Sequence, residues 1–145
     1  MTTFALVGRN IGYSFSQKYF TEKFKREGIN DCEYIYFDIQ NLNELPALLK
    51  STSNLRGMNV TIPYKREVMK LLTAVDATAQ AIGAVNTIKV TPDGLVGYNT
   101  DYYGFSKSLS PLLQPQHTHA LILGTGGASS AVAYALKKLN IDYRF

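Results

Sequence analysis

The chain predicts an α/β fold built on a mostly parallel sheet. Three observations carry that expectation. Short apolar or aromatic runs alternate along the chain with segments of helical period. A turn sequence, Thr91-Pro92-Asp93-Gly94, separates two strand-like runs and marks a hairpin. Near the end, Gly124-Thr125-Gly126-Gly127-Ala128-Ser129 stands between an apolar run and an amphipathic helical pattern, the context of a dinucleotide-binding turn.

Residues 4–7 form a short apolar run closed by Gly8, a buried strand. Ser16 is placed to cap a helix reaching to about Glu27, with Phe20 and Phe24 on its inner face and Gly28 as its stop. Residues 33–39, rich in aromatic and β-branched side chains, make a second strand. Leu42, Leu45, Leu48 and Leu49 give a helical period with Asn41 as cap. Residues 56–61 read as a third buried strand. Pro63 fits the first position of a following helix that carries Val68, Leu71 and Leu72. A further helical piece is expected over residues 74–82. Residues 84–90 and 95–98 flank the hairpin turn.

Asp101 then caps a helix whose Phe105, Leu109 and Leu112 or Leu113 face inward. Residues 111–118 are polar and contain two prolines, the best boundary in the chain. Residues 120–123 form a buried strand. Ala128, Ala131, Val132, Ala135, Leu136 and Leu139 give the clearest helical stripe, with Lys137 and Lys138 at its negative end and Asn140 closing it in the left-handed region. Residues 141–145 start another strand. The expected units are 1–110, a linker 111–118, and 119–145 as the opening of a Rossmann unit. One strand–helix–strand cannot complete a doubly wound sheet, so the chain reads as a fragment.

The totals exclude several classes. The 145 residues suffice for one ordinary domain, or one domain plus part of another. The 15 basic and 11 acidic residues give a net charge of +4. No basic run exceeds two residues, which argues against a nucleic-acid tract and fits a protein handling small anions. One cysteine, Cys32, excludes an internal disulfide and suits a reducing cytoplasm; it reads as a small core hydrophobe. No apolar stretch approaches the length of a membrane span.

Lys65 is the most informative residue. In the first turn of a helix begun by Pro63, its ammonium faces the positive end of the helix dipole, which disfavours the charge and eases proton release. The plain alternative is a solvated lysine beside Glu67. Small polar residues gather at strand ends: Ser14 and Ser16 after the first, Asn59 and Thr61 at the third, Asn86 and Thr87 entering the hairpin, Asn99, Thr100 and Asp101 leaving it. Ligands of open α/β sheets bind beyond the carboxyl ends of the strands. Ser14 and Ser16 can bond a carboxylate, and Asn59 and Asn86 can hold hydroxyls; capping and turn formation are the competing explanations. Asp101 has the strongest competing explanation, since Asp is a favoured N-cap. Its functional reading is a partner for Lys65. A Lys–Asp pair beside a hydride carrier suits alcohol–ketone interconversion.

In the glycine turn, Gly124 permits a tight bend and Gly126 admits a pyrophosphate close to the backbone, where the helix N-terminus meets its charge. Ser129 replaces the third glycine of the general pattern.

Together these segments resemble the shikimate dehydrogenase family. The stretches Asn59-Val60-Thr61-Ile62-Pro63-Tyr64-Lys65, Ile82-Gly83-Ala84-Val85-Asn86-Thr87, Gly97-Tyr98-Asn99-Thr100-Asp101 and Gly124-Thr125-Gly126-Gly127-Ala128-Ser129 look like four of its signatures in order. Ser14-Phe15-Ser16 resembles its substrate-carboxylate loop. The resemblance implies a three-layer substrate domain with helices on both faces of the sheet, then a Rossmann domain across a cleft. It implies Lys65 and Asp101 as the catalytic pair, with Ser14, Ser16, Asn59, Thr61, Lys65, Asn86 and Asp101 around shikimate. Gly124, Thr125, Gly126, Gly127, Ala128 and Ser129 would hold the NADP diphosphate. The implied reaction is NADPH-dependent, reversible reduction of 3-dehydroshikimate to shikimate, on the route to chorismate and the aromatic amino acids.

Asn10, Tyr13 and Gln17 depart from the family's usual Pro, His and Pro, leaving the two serines in place. The family's basic motif for the NADP 2′-phosphate and its late substrate-contacting residues lie beyond Phe145. The expectation is therefore a cytoplasmic fragment, inactive alone, with homodimerisation through the edge of the last strand as an option. A non-catalytic shikimate-binding piece and a quinate/shikimate dehydrogenase using NAD are the alternatives.

Overall fold

The structure is a computed structural model that describes residues 1–145. The seven residues of β1 (Thr2–Gly8) form an interior strand of the sheet, with Thr3, Ala5, Leu6 and Val7 buried. A strand buried on both faces needs a near-continuous apolar run, which Phe4 to Val7 provides. β2 (Cys32–Asp38) and β3 (Leu55–Val60) flank it in parallel, with Leu6 opposite both Tyr36 and Asn59. The hairpin β5 (Thr87–Thr91) and β6 (Gly94–Tyr98) then pairs antiparallel to β3, with Asn59 opposite Thr87 and Thr87 opposite Tyr98. The short β4 (Ala74–Val75) adds in parallel to β6, and the sheet order is β2-β1-β3-β5-β6-β4.

Helices cover both faces. α1 (Ser16–Arg26) lays Phe20 and Phe24 against Leu6, Ile11 and Tyr34. On the opposite face, α2 (Leu45–Ser51) and α3 (Ala77–Ile82) contribute Leu45 and Ala79 to the main core with Ala5, Val7, Phe37, Met58, Val60 and Ile88. Each fully buried Leu or Ile there is worth about 1.5–3 kcal/mol. α4 (Asp101–Leu109) leaves the hairpin and packs Phe105 and Leu109 on a second, smaller core of Ile122, Ala133, Leu136 and Ile141. That core is built by α5 (Gly127–Lys138) and by Ile122 and Ile141, which directly adjoin β7 (His119–Leu121) and β8 (Asp142–Arg144), two parallel strands.

Several elements differ from expectation. Residues 74–82 are not one helix: Thr73 N–H donates to Leu95 O at 2.9 Å and Asp76 N–H to Gly97 O at 2.8 Å, drawing Ala74 and Val75 onto the edge of β6. Asp76 then caps α3, accepting from Thr78 and Ala79 N–H at 2.9 and 3.3 Å. The helix expected from Leu42 begins as a 3-10 turn, Leu42–Glu44, held by Asn41 and Glu44 in a capping box, before α2 takes over. Of the run 120–123, only Ile122 is well buried, while Leu121 and Leu123 are 68% and 88% exposed. α4 and α5 cover just one face of this two-stranded sheet. Ala128, expected inward, is exposed in the first turn of α5. Asn140 closes α5 in the left-handed region as expected, at φ 56°.

The largest correction concerns Lys65. No α-helix follows Pro63. The Ile62–Pro63 peptide is cis, residues 62–66 form turns, and a 3-10 segment, Glu67–Leu71, comes after. Tyr64 explains the arrest: its ring is buried and its hydroxyl donates to Ile39 O at 2.8 Å. Val68 is fully buried as well, and its N–H donates to Tyr64 O at 2.9 Å, so one α-type turn forms before the segment continues as the 3-10 stretch. The dipole argument for Lys65 falls with the helix.

Candidate active site

The sheet register puts four strand ends on one edge. β1, β3 and β6 finish there, and β5 begins there because it runs antiparallel. Asn59, Thr61, Lys65, Asn86 and Asp101 all belong to that edge or to the turns leaving it. Lys65 is fixed through its backbone, its carbonyl accepting from Val85 N–H at 2.7 Å. Its ammonium donates to Asp101 Oδ2 at 2.6 Å, with side chains 16% and 33% exposed. The expected Lys–Asp pair is therefore formed, in a partly buried place where the charges are weakly screened.

Asp101 is not the cap of α4. Asn99 takes that task, its Oδ1 accepting from Asp101 N–H at 3.0 Å and Tyr102 N–H at 3.4 Å, while its amide donates to Ala84 O at 2.9 Å. The Asp101 carboxylate is left for side chains. Its Oδ1 accepts from Asn86 Nδ2 at 2.8 Å. Buried Asn86 in turn accepts at Oδ1 from Thr87 Oγ1 at 3.0 Å and Thr100 N–H at 2.8 Å. Thr87 Oγ1 accepts from Asn59 Nδ2 at 3.4 Å, and Asn59 Oδ1 accepts from the Tyr34 hydroxyl at 2.8 Å. One hydrogen-bonded path thus runs from Tyr34 to Lys65.

Ser14 and Ser16 form a separate pair. Ser14 Oγ donates to Ser16 Oγ and accepts from Ser16 N–H, both at 3.3 Å. Ser16 is the first residue of α1 and makes no capping bond; Phe15 occupies the cap position. The loop is braced from the sheet by Tyr36, whose hydroxyl donates to Ser14 O and accepts from Gln17 N–H. Thr61 is tied by its backbone to Val7 O at 2.9 Å. No hydrogen bond joins Ser14, Ser16 or Thr61 to the Lys65 path.

The glycine turn lies against the lysine. A Cβ on Gly127 would stand 2.9 Å from Lys65 Cβ and 3.4 Å from Ala84 Cβ, so the close approach needs glycine. Gly124 adopts φ 125°, a conformation that favours glycine. Gly126, the cap of α5, opens onto free space and makes no side-chain capping bond, as a backbone cradle for an anion requires. No acidic residue sits in the first turn of α5. These features fit the diphosphate of a dinucleotide, with Thr125, Gly126, Gly127, Ala128 and Ser129 around it. Arg66 secures the turn from the other side, donating to Thr125 O at 2.9 Å and Ser130 Oγ at 2.7 Å.

Sequence reasoning passed over Tyr34, Tyr36 and Arg66. The two tyrosines stand two apart in β2, hence on one face, a spacing that marks paired roles as well as core packing. Arg66 carried no such signal, because its partners lie 59 and 64 residues away. Burial pushes the Tyr34 hydroxyl far above the ordinary tyrosine value, and burial likewise raises Tyr64. Cys32, half-buried, is raised by desolvation and by the Asp31 carboxylate beside it, which favours an unreactive thiol.

Comparison with known proteins adds a name to this geometry. The sequence model described as "Shikimate dehydrogenase substrate binding domain" matches residues 6–88. The chain belongs to the shikimate dehydrogenase family. The shikimate dehydrogenase (NADP(+)) of Clostridium botulinum (strain Loch Maree / Type A3) is 41% identical over 145 residues, covering 97% of this chain. The chain spans 55% of that relative's length. The crystal structure of shikimate dehydrogenase 1 from Peptoclostridium difficile superposes with a TM-score of 0.88 at 36% identity, over 98% of this chain and 54% of that one. The shikimate 5-dehydrogenase of Thermus thermophilus, solved in complex with NADP(H) and shikimate, gives 0.85 at 34% identity, over 99% and 54%. The three-layer sheet described above is that of the family's substrate-binding domain.

Proposed function

We propose that this chain supplies the shikimate-binding and proton-transferring half of an NADP-dependent shikimate dehydrogenase. One observation carries the reading: Lys65 Nζ lies 2.6 Å from Asp101 Oδ2, while the Lys65 Cβ packs against the Gly127 backbone of the dinucleotide-type turn. A proton donor and the cradle for a hydride carrier are thereby neighbours.

In the direction of reduction, Lys65 gives a proton to the substrate oxygen as that oxygen gains negative charge, and Asp101 holds the ammonium in place. In oxidation, Lys65 takes the proton back from the hydroxyl. NADPH, when bound, supplies the hydride. Asn59, Thr61 and Asn86 hold substrate hydroxyls at the same sheet edge, and Ser14 and Ser16 take the carboxylate in the braced loop. Units of 1–110 and 119–145 joined by 111–118 are supported by the two separate sheets, although α4 lends Phe105 and Leu109 to the core of the second and a small cluster of Ile82, Ala84 and Ala131 packs the two together. No helix is long and apolar enough to cross a membrane, and the lone unbridged cysteine supports a cytoplasmic setting.

The test is a shikimate titration of the isotope-labelled chain. Amide shifts should concentrate at Ser14, Asn59 and Asn86, and Lys65→Met and Asp101→Asn should alter them. The chain alone should bind without NADP-linked turnover. Absence of shifts at tens of millimolar shikimate, or turnover by the isolated chain, overturns the respective part.

A further inference from the structure

The path from Lys65 ends on a residue that takes no part in the chemistry above. Tyr34 is 4% exposed, and its ring stacks on Phe20 with centroids 4.5 Å apart and planes 13° from parallel. Packing alone accounts for the ring, since phenylalanine would serve as well. It does not account for the hydroxyl, which donates to Asn59 Oδ1 at 2.8 Å.

An asparagine side chain has an acceptor end and a donor end, and nothing intrinsic chooses between its two orientations. A phenol whose proton is held by burial donates here. It satisfies Asn59 Oδ1 and so secures the orientation in which Nδ2 faces Thr87 Oγ1, 3.4 Å away, the orientation that Thr100 N–H and the Asp101 carboxylate require from the far end of the path. Thr87 then has its proton free to donate to Asn86 Oδ1 at 3.0 Å, and Asn86 turns Nδ2 toward Asp101 Oδ1 at 2.8 Å. Every link donates in the same direction, from Tyr34 toward the carboxylate. If the first amide flipped, its Nδ2 would face the tyrosine, and Thr87 could donate to Asn59 only by giving up its bond to Asn86 Oδ1. Asn86 has a further anchor in Thr100 N–H, so the disturbance falls hardest on Asn59.

We propose that Tyr34 is a positioning residue that holds the Asn59 amide in the orientation the path to Asp101 requires, and with it the donor pattern offered to the substrate. This rests on the proposed shikimate site only for its effect on the ligand; the orientation of Asn59 is a property of the chain alone.

Tyr34→Phe isolates the hydroxyl, because the stack on Phe20 is retained. Two measurements on the 145-residue chain test it. In nuclear magnetic resonance spectra, the Asn59 side-chain amide proton pair should shift and exchange with water at least several-fold faster in Tyr34→Phe, while backbone amides of β1 and β2 stay unchanged. In shikimate titrations, Tyr34→Phe should weaken binding roughly fivefold to tenfold, the factor for one lost hydrogen bond. Repeated in the Asn59→Ala background, the same substitution should change affinity by less than about twofold, since its route to the ligand is gone. A purely structural role for Tyr34 predicts equal losses in both backgrounds, and that result overturns the proposal. An unshifted Asn59 amide pair overturns it as well. Failure of the unaltered chain to bind shikimate counts against the proposed function, and the amide measurement then still decides the role of Tyr34.

Discussion

Replacing Asp101 with Asn separates two roles that an aspartate at a helix start can play. Asn and Asp are comparable N-caps, so if residue 101 served α4 as a cap, Asp101→Asn would leave stability nearly unchanged. The structure gives capping to Asn99 and the carboxylate to Lys65. The substitution therefore deletes a charge-assisted hydrogen bond of 2.6 Å and turns an amide N–H₂ or a neutral oxygen toward the ammonium. A hydrogen bond to a charged group is worth about 1.5–3 kcal/mol. Asp101 is 33% exposed, so water recovers part of that loss, leaving about 1–2 kcal/mol. The carboxylate's favourable place in the first turn of α4 adds about 0.3–1 kcal/mol. The sum, about 2 kcal/mol, lowers the thermal midpoint of a chain of this size by about 6 °C. Calorimetry on the wild type, Asp101→Asn, Lys65→Met and the double variant measures it. The double variant should be less destabilised than the two single losses added together. An unchanged midpoint in Asp101→Asn, or strictly additive losses, refutes the pairing argument.

Three further outcomes follow from the geometry. Gly127→Ala should destabilise by about 1 kcal/mol, because its Cβ meets the Lys65 and Ala84 Cβ atoms, whereas Gly104→Ala, in the middle of α4 with open space around it, should stabilise by about 0.5–1 kcal/mol; melting curves of the two should move in opposite directions. Arg66→Ala should speed hydrogen exchange of the amides from Thr125 to Ser130 by about fivefold while leaving β1 to β3 unaffected, as read by mass spectrometry or resonance spectra. Alkaline stability should reflect Tyr34: its hydroxyl keeps its proton in the folded state after the unfolded one has lost it, so this contribution is complete below about pH 10 and fades as pH rises beyond that. Melts between about pH 9 and 11 should fall less steeply in Tyr34→Phe.

Much of the fold was legible because its signals are local. The aromatic run of β2, the hairpin turn at Pro92-Asp93 and the strand–glycine–helix of Gly124 each carry their structure within a dozen residues. The Lys65–Asp101 pair was legible through residue type and the order of strand ends. What was hidden depended on distant partners. The segment after Pro63 obeys Tyr64, which is drawn away by Ile39 O. Ala74 and Val75 obey the edge of β6. Asp101 looked like the cap of α4 because the competing claim of Asn99, two residues earlier, shows only once the turn is folded. Tyr34 and Tyr36 looked like core filling because a strand pattern reports which face a side chain takes, with no indication of what its hydroxyl meets.

The handing of the helix cap to Asn99 has a consequence for engineering. The start of α4 is set by a neighbour, so its axis does not depend on the acid at position 101. Shorter, longer or neutral replacements at 101 change what faces the Lys65 ammonium without redirecting the helix that carries them, whereas replacing Asn99 with a residue that cannot cap disturbs both at once.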